Sequence, residues 1–193
     1  METKYFFCDT ETTGTDPKRH GIIQIAGLIY TREDDAWDFK ESIDIKVQPF
    51  PADEIDDSAL EVSGVTREAL QDRLSPKVGY VRMTKTLGQY VDKFNRADKM
   101  IFAGYNARFD FDMLRAFWQK NGDNYFGSWF YFPPIDVMNL AAVRLIRSRH
   151  LLKDFKLATV SEHFKIEPEG NLHDALADVL VTKQLFDICE SSK

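Results

Sequence analysis

The chain has 193 residues, of which 44% are hydrophobic, 13% aromatic and 29% charged, a balance ordinary for a globular protein with a sizeable core and foreign to a disordered one. The apolar, uncharged run Gly21 to Thr31 falls short of the ~18 apolar residues of a membrane helix, and the N-terminus lacks a basic region leading into an apolar one, so no membrane partner or secretory signal is expected and the cytoplasm is the expected location. Cys8 and Cys189 do not make a disulfide framework and are expected to be small buried hydrophobes, while a formal net charge of −6 argues against a nonspecific coat on nucleic acid.

Along the chain, the apolar run Lys4 to Cys8, ending at Asp9, and the Ile-rich run Gly21 to Tyr30 predict buried strands, with Gly14 and Asp16-Pro17 supplying the turn between them. Ser42 to Val47 alternates apolar and polar residues and predicts a third strand, stopped by Pro49 and Pro51. A short helix over Asp57 to Val62, a turn at Ser63-Gly64 and an amphipathic helix from about Gly79 to Phe94 follow. From there strands and helices alternate: Met100 to Ala103, helix Phe109 to Gln119, strand Tyr131 to Ile135, helix Val137 to Ser148, then helices Leu157 to Phe164 and Asp174 to Cys189. A β-meander followed by alternating elements predicts an α/β fold with a mixed sheet, and no linker or repeat divides the chain.

Three segments carry candidate chemistry. In Phe7-Cys8-Asp9-Thr10-Glu11-Thr12-Thr13-Gly14 two carboxylates two residues apart share one face of a strand. Two such charges ~4 Å apart repel by about 4 kcal/mol at an effective dielectric near 20, and a divalent cation relieves this. The alternative is a solvated loop capped by Thr10, Thr12 and Thr13. In Asn106-Ala-Arg-Phe109-Asp110 a carboxylate opens a helix directly after a strand, at the sheet edge where open α/β sheets place ligands; a favourable interaction with the helix dipole would also explain it. In His173-Asp-Ala-Leu-Ala-Asp178 the two outer residues are ~140° and ~7.5 Å apart on a regular helix. His173 must therefore precede or just open the helix if both are to reach one site; otherwise it is a cap or a solvated residue. Asp174, the competing acid, has a simpler explanation in the first helical turn.

Four carboxylates and one histidine from three separated segments resemble the DnaQ-like 3′–5′ exonucleases of the DEDDh type, whose motifs D-T-E-T-T-G, N-x-x-F-D and H-x-A-x-x-D appear as Asp9 to Gly14, Asn106 to Asp110 and His173 to Asp178. The Ile22 to Ile25 strand, the Ser63-Gly64-Val65-Thr66 turn and Ile135-Asp136-Val137 are similar to the family as well, although many relatives have Glu in place of Gln24 and His in place of Ser63. The resemblance implies one DEDDh exonuclease domain over residues 1–193, with an RNase H-like mixed five-stranded sheet flanked by helices. It also implies metal-dependent release of nucleoside 5′-monophosphates from a 3′ end. By that analogy Asp9 bridges two Mg²⁺ or Mn²⁺ ions, Glu11 and Asp178 hold the one that activates water, Asp110 serves the other, and His173 is the general base. Thr10, Thr12, Thr13 and Asn106 would hold the terminal nucleotide, and Phe109 would pack beneath the site or beside a base.

An acidic chain that binds phosphates needs a local basic track, and Arg144 to Lys156 has five Lys and Arg residues against Asp154. Arg147, Lys153 and Lys156 are its candidate phosphate contacts, and a solvated helix end is the alternative. Six aromatics between Tyr125 and Phe132 suit stacking on single-stranded bases, a core strand, or a homodimer contact. Single-stranded DNA with a free 3′ end is the expected substrate. The rivals are an RNA 3′ trimmer of the oligoribonuclease type, and a proofreading or adaptor subunit whose partner is a polymerase or other protein. Only fifteen residues follow Asp178, which argues against a long C-terminal partner-binding segment.

Overall fold

The computed structural model describes residues 2–167 and 174–191. Three long strands, β1 (Thr3–Thr12), β2 (Ile22–Glu33) and β3 (Ala36–Lys46), form an antiparallel meander. Two short strands, β4 (Ile101–Gly104) and β5 (Ile135–Asp136), extend it in parallel to give the order β3-β2-β1-β4-β5. The helices are α1 (Asp57–Ser63), α2 (Arg67–Gln71), α3 (Pro76–Leu87), α4 (Ala107–Lys120), α5 (Val137–Arg144), α6 (Leu157–His163) and α7 (Ala175–Glu190). The mixed five-stranded sheet flanked by helices is as expected.

The two-residue period of β1 divides the core. Phe6 and Cys8 join Ile25, Ile43, Met83, Phe111 and Trp118 on the side covered by α3 and α4. Tyr5 and Phe7 join Ala26, Val137, Val160, Val179 and Leu185 on the side covered by α5, α6 and α7. β2, buried continuously from Ile22 to Ile29, serves both sides.

Several boundaries differ from expectation, each for a local reason. β1 runs on to Thr12, so Asp9 and Glu11 lie within a hydrogen-bonded ladder, opposite Ala26 and Gln24, and not in a loop beyond the strand. β3 begins at Ala36, because the turn at Asp34 and Asp35 closes a hairpin whose outer half is exposed and charged. α3 starts at Pro76, where Ser75 accepts a hydrogen bond from the Val78 amide, and ends before Gly88. The short α2 is capped by Thr66, whose side chain accepts from the Ala69 amide. The predicted strand Tyr131 to Ile135 shrinks to Ile135–Asp136, since Pro133 and Pro134 cannot donate to a ladder. Beyond Arg144, α5 tightens into turns through the Ile146-to-Val143 and Ser148-to-Leu145 bonds. Cys8 is buried, but Cys189 is only half-buried.

Candidate active site

Asp9 and Glu11 occupy odd positions of β1 and therefore share the face of Tyr5 and Phe7, against which α7 packs. Asp178 stands in the first turn of α7, one turn after the N-cap Asp174, whose side chain accepts from the Leu176 amide and whose carbonyl accepts from the Asp178 amide at 3.1 Å. Asp110 is buried in the first turn of α4. Its Oδ1 accepts two hydrogen bonds from Thr10, from the backbone amide at 2.9 Å and from the hydroxyl at 2.8 Å, which tie the head of α4 to β1. The close approach of β4 and α4 to β1 requires glycine at position 104, where a Cβ would stand 2.8 Å from the Cys8 carbonyl oxygen.

The carboxylates form one electrostatic neighbourhood. Burial pushes the Asp9 carboxyl well above the usual range, and the charges of Asp110, Asp178 and Glu11 push it further. Asp110 is pushed up to about 7 by burial, against the pull of the Thr10 hydrogen bonds. Glu11 is also pushed up to about 7, by burial and then by Asp178 and Asp174, while the Arg73 guanidinium opposes the rise. Groups that raise one another in this way favour a proton or a cation between them. Their all-oxygen chemistry fits a hard divalent ion. Among the described residues no three His, Cys, Asp or Glu groups form a metal-binding cluster as they stand, so an ion would have to draw these side chains together.

The other expected site residues are placed less uniformly. His173 lies outside the described residues. Thr10, Thr12 and Thr13 are buried, and their hydroxyls are engaged within the protein: Thr10 with Asp110, Thr12 with the Gly14 carbonyl at 2.8 Å, Thr13 with the Glu54 carbonyl at 2.6 Å. Thr12 and Thr13 thereby stiffen the loop after β1, and Thr10 joins α4 to the strand. Asn106, exposed, adopts a left-handed conformation (φ 60°) at the N-cap of α4, where its amide donates to Asp136 Oδ1 at 3.0 Å. Asp136 also caps α5, so one carboxylate joins the heads of two helices. Phe109 is half-buried against the core on the α4 side. Arg147, Lys153 and Lys156 are exposed on the segment after α5. The aromatic cluster divides: Phe126, Trp129 and Phe130 enter the core, whereas Tyr125, Tyr131 and Phe132 are exposed.

Three residues outside the catalytic motifs are placed by the fold near these elements. Arg73, half-buried, donates to the Ile23 carbonyl at 2.7 Å while facing Glu11 and Asp44. Gln24, opposite Glu11 on β2, donates to both Asp44 and Asp174. His20, buried, accepts from the Asp16 amide through Nδ1 and packs its ring on Gly14, where a Cβ would come within 2.5 Å of it. A lone Arg or His gives no periodic or motif signal; Gly14 and Asp16-Pro17 marked only the turn that carries His20, which a hydrogen bond from the Gly21 amide to the Thr13 hydroxyl closes.

Comparison with known proteins follows the same lines. The family model described as Exonuclease matches residues 6–186. Ribonuclease T of Hahella chejuensis is 28% identical over 137 residues, 70% of this chain and 62% of that protein. DNA polymerase III PolC-type of Thermotoga petrophila is 29% identical over 178 residues, 92% of this chain but 11% of that protein. The chain thus spans less than two thirds of these relatives. Among solved structures, E. coli exonuclease I in complex with a dT13 oligonucleotide superposes with a TM-score of 0.77 at 20% identity, over 98% of this chain and 41% of that one; this likeness is one of fold.

Proposed function

Because the chain belongs to the DnaQ-like exonuclease family, we propose that it shortens nucleic acid from a free 3′ end, hydrolysing the terminal phosphodiester bond and releasing nucleoside 5′-monophosphates. The observation that supports this best is the assembly of Asp9, Glu11, Asp110 and Asp178, three of them held at raised pKa by burial and by one another. These four carboxylates would hold the divalent ions, and their hard oxygen donors suit Mg²⁺ or Mn²⁺ better than zinc. Two such ions, when bound, supply an activated water near neutral pH and offset charge on the leaving 3′-oxygen. Thr10 holds Asp110 through two hydrogen bonds, so this carboxylate keeps its direction without a ligand. His173 is assigned the proton of the attacking water, a task suited to an imidazole whose ordinary pKa is about 6.5. Asn106 and Phe109 at the head of α4 are assigned to the terminal nucleotide, and Arg147, Lys153 and Lys156 to phosphates further along the strand.

Single-stranded DNA is the leading substrate. RNA is a second reading, favoured by the ribonuclease T relatives. A role as the exonuclease module of a polymerase assembly is favoured by the PolC-type relatives, which match nearly the whole chain; co-purification with a polymerase, as against self-association into a homodimer, distinguishes the protein partner. No helix among the described residues is long and apolar enough to cross a membrane. The test is degradation of matched 5′-labelled single-stranded DNA and RNA with Mg²⁺, Mn²⁺ or EDTA, for wild type and Asp9→Ala. Stepwise 3′ shortening that EDTA and the substitution both abolish is expected, and the ratio of rates selects the substrate. Cleavage that persists in EDTA would refute the metal-dependent reaction.

A further inference from the structure

Gln24 sits on β2 directly opposite Glu11, in a non-terminal position of the ladder, and is 5% exposed. Facing residues on antiparallel strands project from the same side of the sheet, so its side chain emerges beside that of Glu11, under α7. There its amide nitrogen donates to Asp44 Oδ1 on β3 at 2.9 Å and to Asp174 Oδ1 at 3.1 Å. A primary amide has two N–H donors, and here they join two carboxylates. Asp174 in turn uses the same Oδ1 to cap α7 through the Leu176 amide, and its carbonyl accepts from the Asp178 amide. An unbroken chain of hydrogen bonds therefore runs from the outer strand β3, through Gln24 and the N-cap of α7, to Asp178.

We propose that Gln24 is a positioning residue for Asp178: it fixes the first turn of α7 against the sheet and so sets where the Asp178 carboxylate stands relative to Asp9 and Glu11. The inference rests on the metal-binding role proposed for these carboxylates. Gln24 itself holds no ion and touches no substrate. A buried side chain that only filled space would be replaced without consequence by Leu, which is similar in size and donates nothing; a residue that orients a ligand carrier would not, since removing such outer hydrogen bonds commonly weakens metal binding by about 10- to 100-fold.

The test is calorimetric titration of the full chain with Mn²⁺, without nucleic acid. Gln24→Leu removes the donors, Asp174→Ser keeps a helix cap but draws the accepting oxygen back toward the backbone, away from Gln24, and Asp174→Asn keeps both cap and reach while removing the charge. Gln24→Leu and Asp174→Ser are each expected to weaken Mn²⁺ binding about tenfold, and the double variant no more than either alone, because both cut the same tie. Asp174→Asn is expected to stay closer to wild type than Asp174→Ser. Mn²⁺ affinity within twofold of wild type in Gln24→Leu, or losses that multiply in the double variant, would overturn the inference while leaving the metal site intact. Wild-type protein that takes up no Mn²⁺ would overturn the metal-binding reading itself and this inference with it. Should Gln24→Leu fail to fold, Asp174→Ser against Asp174→Asn decides on its own.

Discussion

Asp110, at the head of α4, and Glu11, on β1, both stand near pH 7, yet their surroundings differ in kind. Asp110 is closed off from water and held by a neutral neighbour, Thr10, through two hydrogen bonds that favour its charged form. Glu11 is half-buried, is raised further by Asp178 and Asp174, and is steadied by a cation, Arg73. One side of the site is thus organised by hydrogen bonds across a packed junction, and the other by opposing charges beside a helix start, the carboxylates outweighing the guanidinium. The first arrangement fixes direction and is insensitive to salt, while the second tolerates movement and is screened by it.

Substitutions can dismantle either side. Asp178→Ala removes a carboxylate from the charged side and is expected to lower turnover by roughly two to three orders of magnitude or more, measured on a labelled oligonucleotide at saturating Mn²⁺. Thr10→Val keeps the shape of the packed side and the backbone bond but deletes the hydroxyl donor. A hydrogen bond to a charged group contributes about 1.5–3 kcal/mol, so Asp110 should rise further in pKa and the acid limb of the pH–rate profile should move to higher pH, with at least about a tenfold loss at pH 6. An unmoved profile would show that the hydroxyl bond does not hold the charged form. Arg73→Gln removes the counter-charge from the other side; because the guanidinium is only half-buried, the expected loss is several-fold and shrinks as salt is raised.

A fourth expectation compares the whole carboxylate cluster with the remainder of the protein. Asp9, Glu11 and Asp110 have folded-state pKa values above those of the unfolded chain, so the folded protein binds more protons than the unfolded one at pH values between the two. Stability in EDTA should accordingly be fully retained below about pH 4 as far as these groups are concerned, and fall as pH rises through about 7. Mn²⁺ should reverse the fall. Thermal melts across pH 4–8 with and without the ion measure this, and a melting temperature in EDTA that climbs over the interval would contradict it. The smallest effect is expected from the basic segment: Lys153→Gln with Lys156→Gln should flatten the salt dependence of single-strand binding by about 1.4 in log–log slope, near 0.7 for each phosphate no longer neutralised by a lysine. An unaltered slope would leave these lysines as ordinary solvated surface.

Much of this was legible in the order of residues. The apolar run Lys4 to Cys8 identified β1, the Ile-rich run identified the buried β2, and the D-T-E, N-x-x-F-D and H-x-A-x-x-D spacings marked the strand end and helix starts where the carboxylates stand. Such features are local: alternation, turn residues and caps act within a few positions of the chain. What escaped was decided over long separations. Thr10 reads as a loop hydroxyl until α4 brings Asp110 onto it, 100 residues away, and Gln24 is an isolated polar residue in an apolar strand until β3 and α7 supply two carboxylates 20 and 150 residues distant. Whether Phe126 or Tyr125 enters the core, and that Arg73 comes to face Glu11, likewise depends on which surfaces the sheet and helices bury. Sequence by itself determined which groups can carry charge and where strands and helices begin; tertiary packing alone decided which of those groups share a low-dielectric space, because burial and charge coupling are properties of neighbours in space and not in the chain.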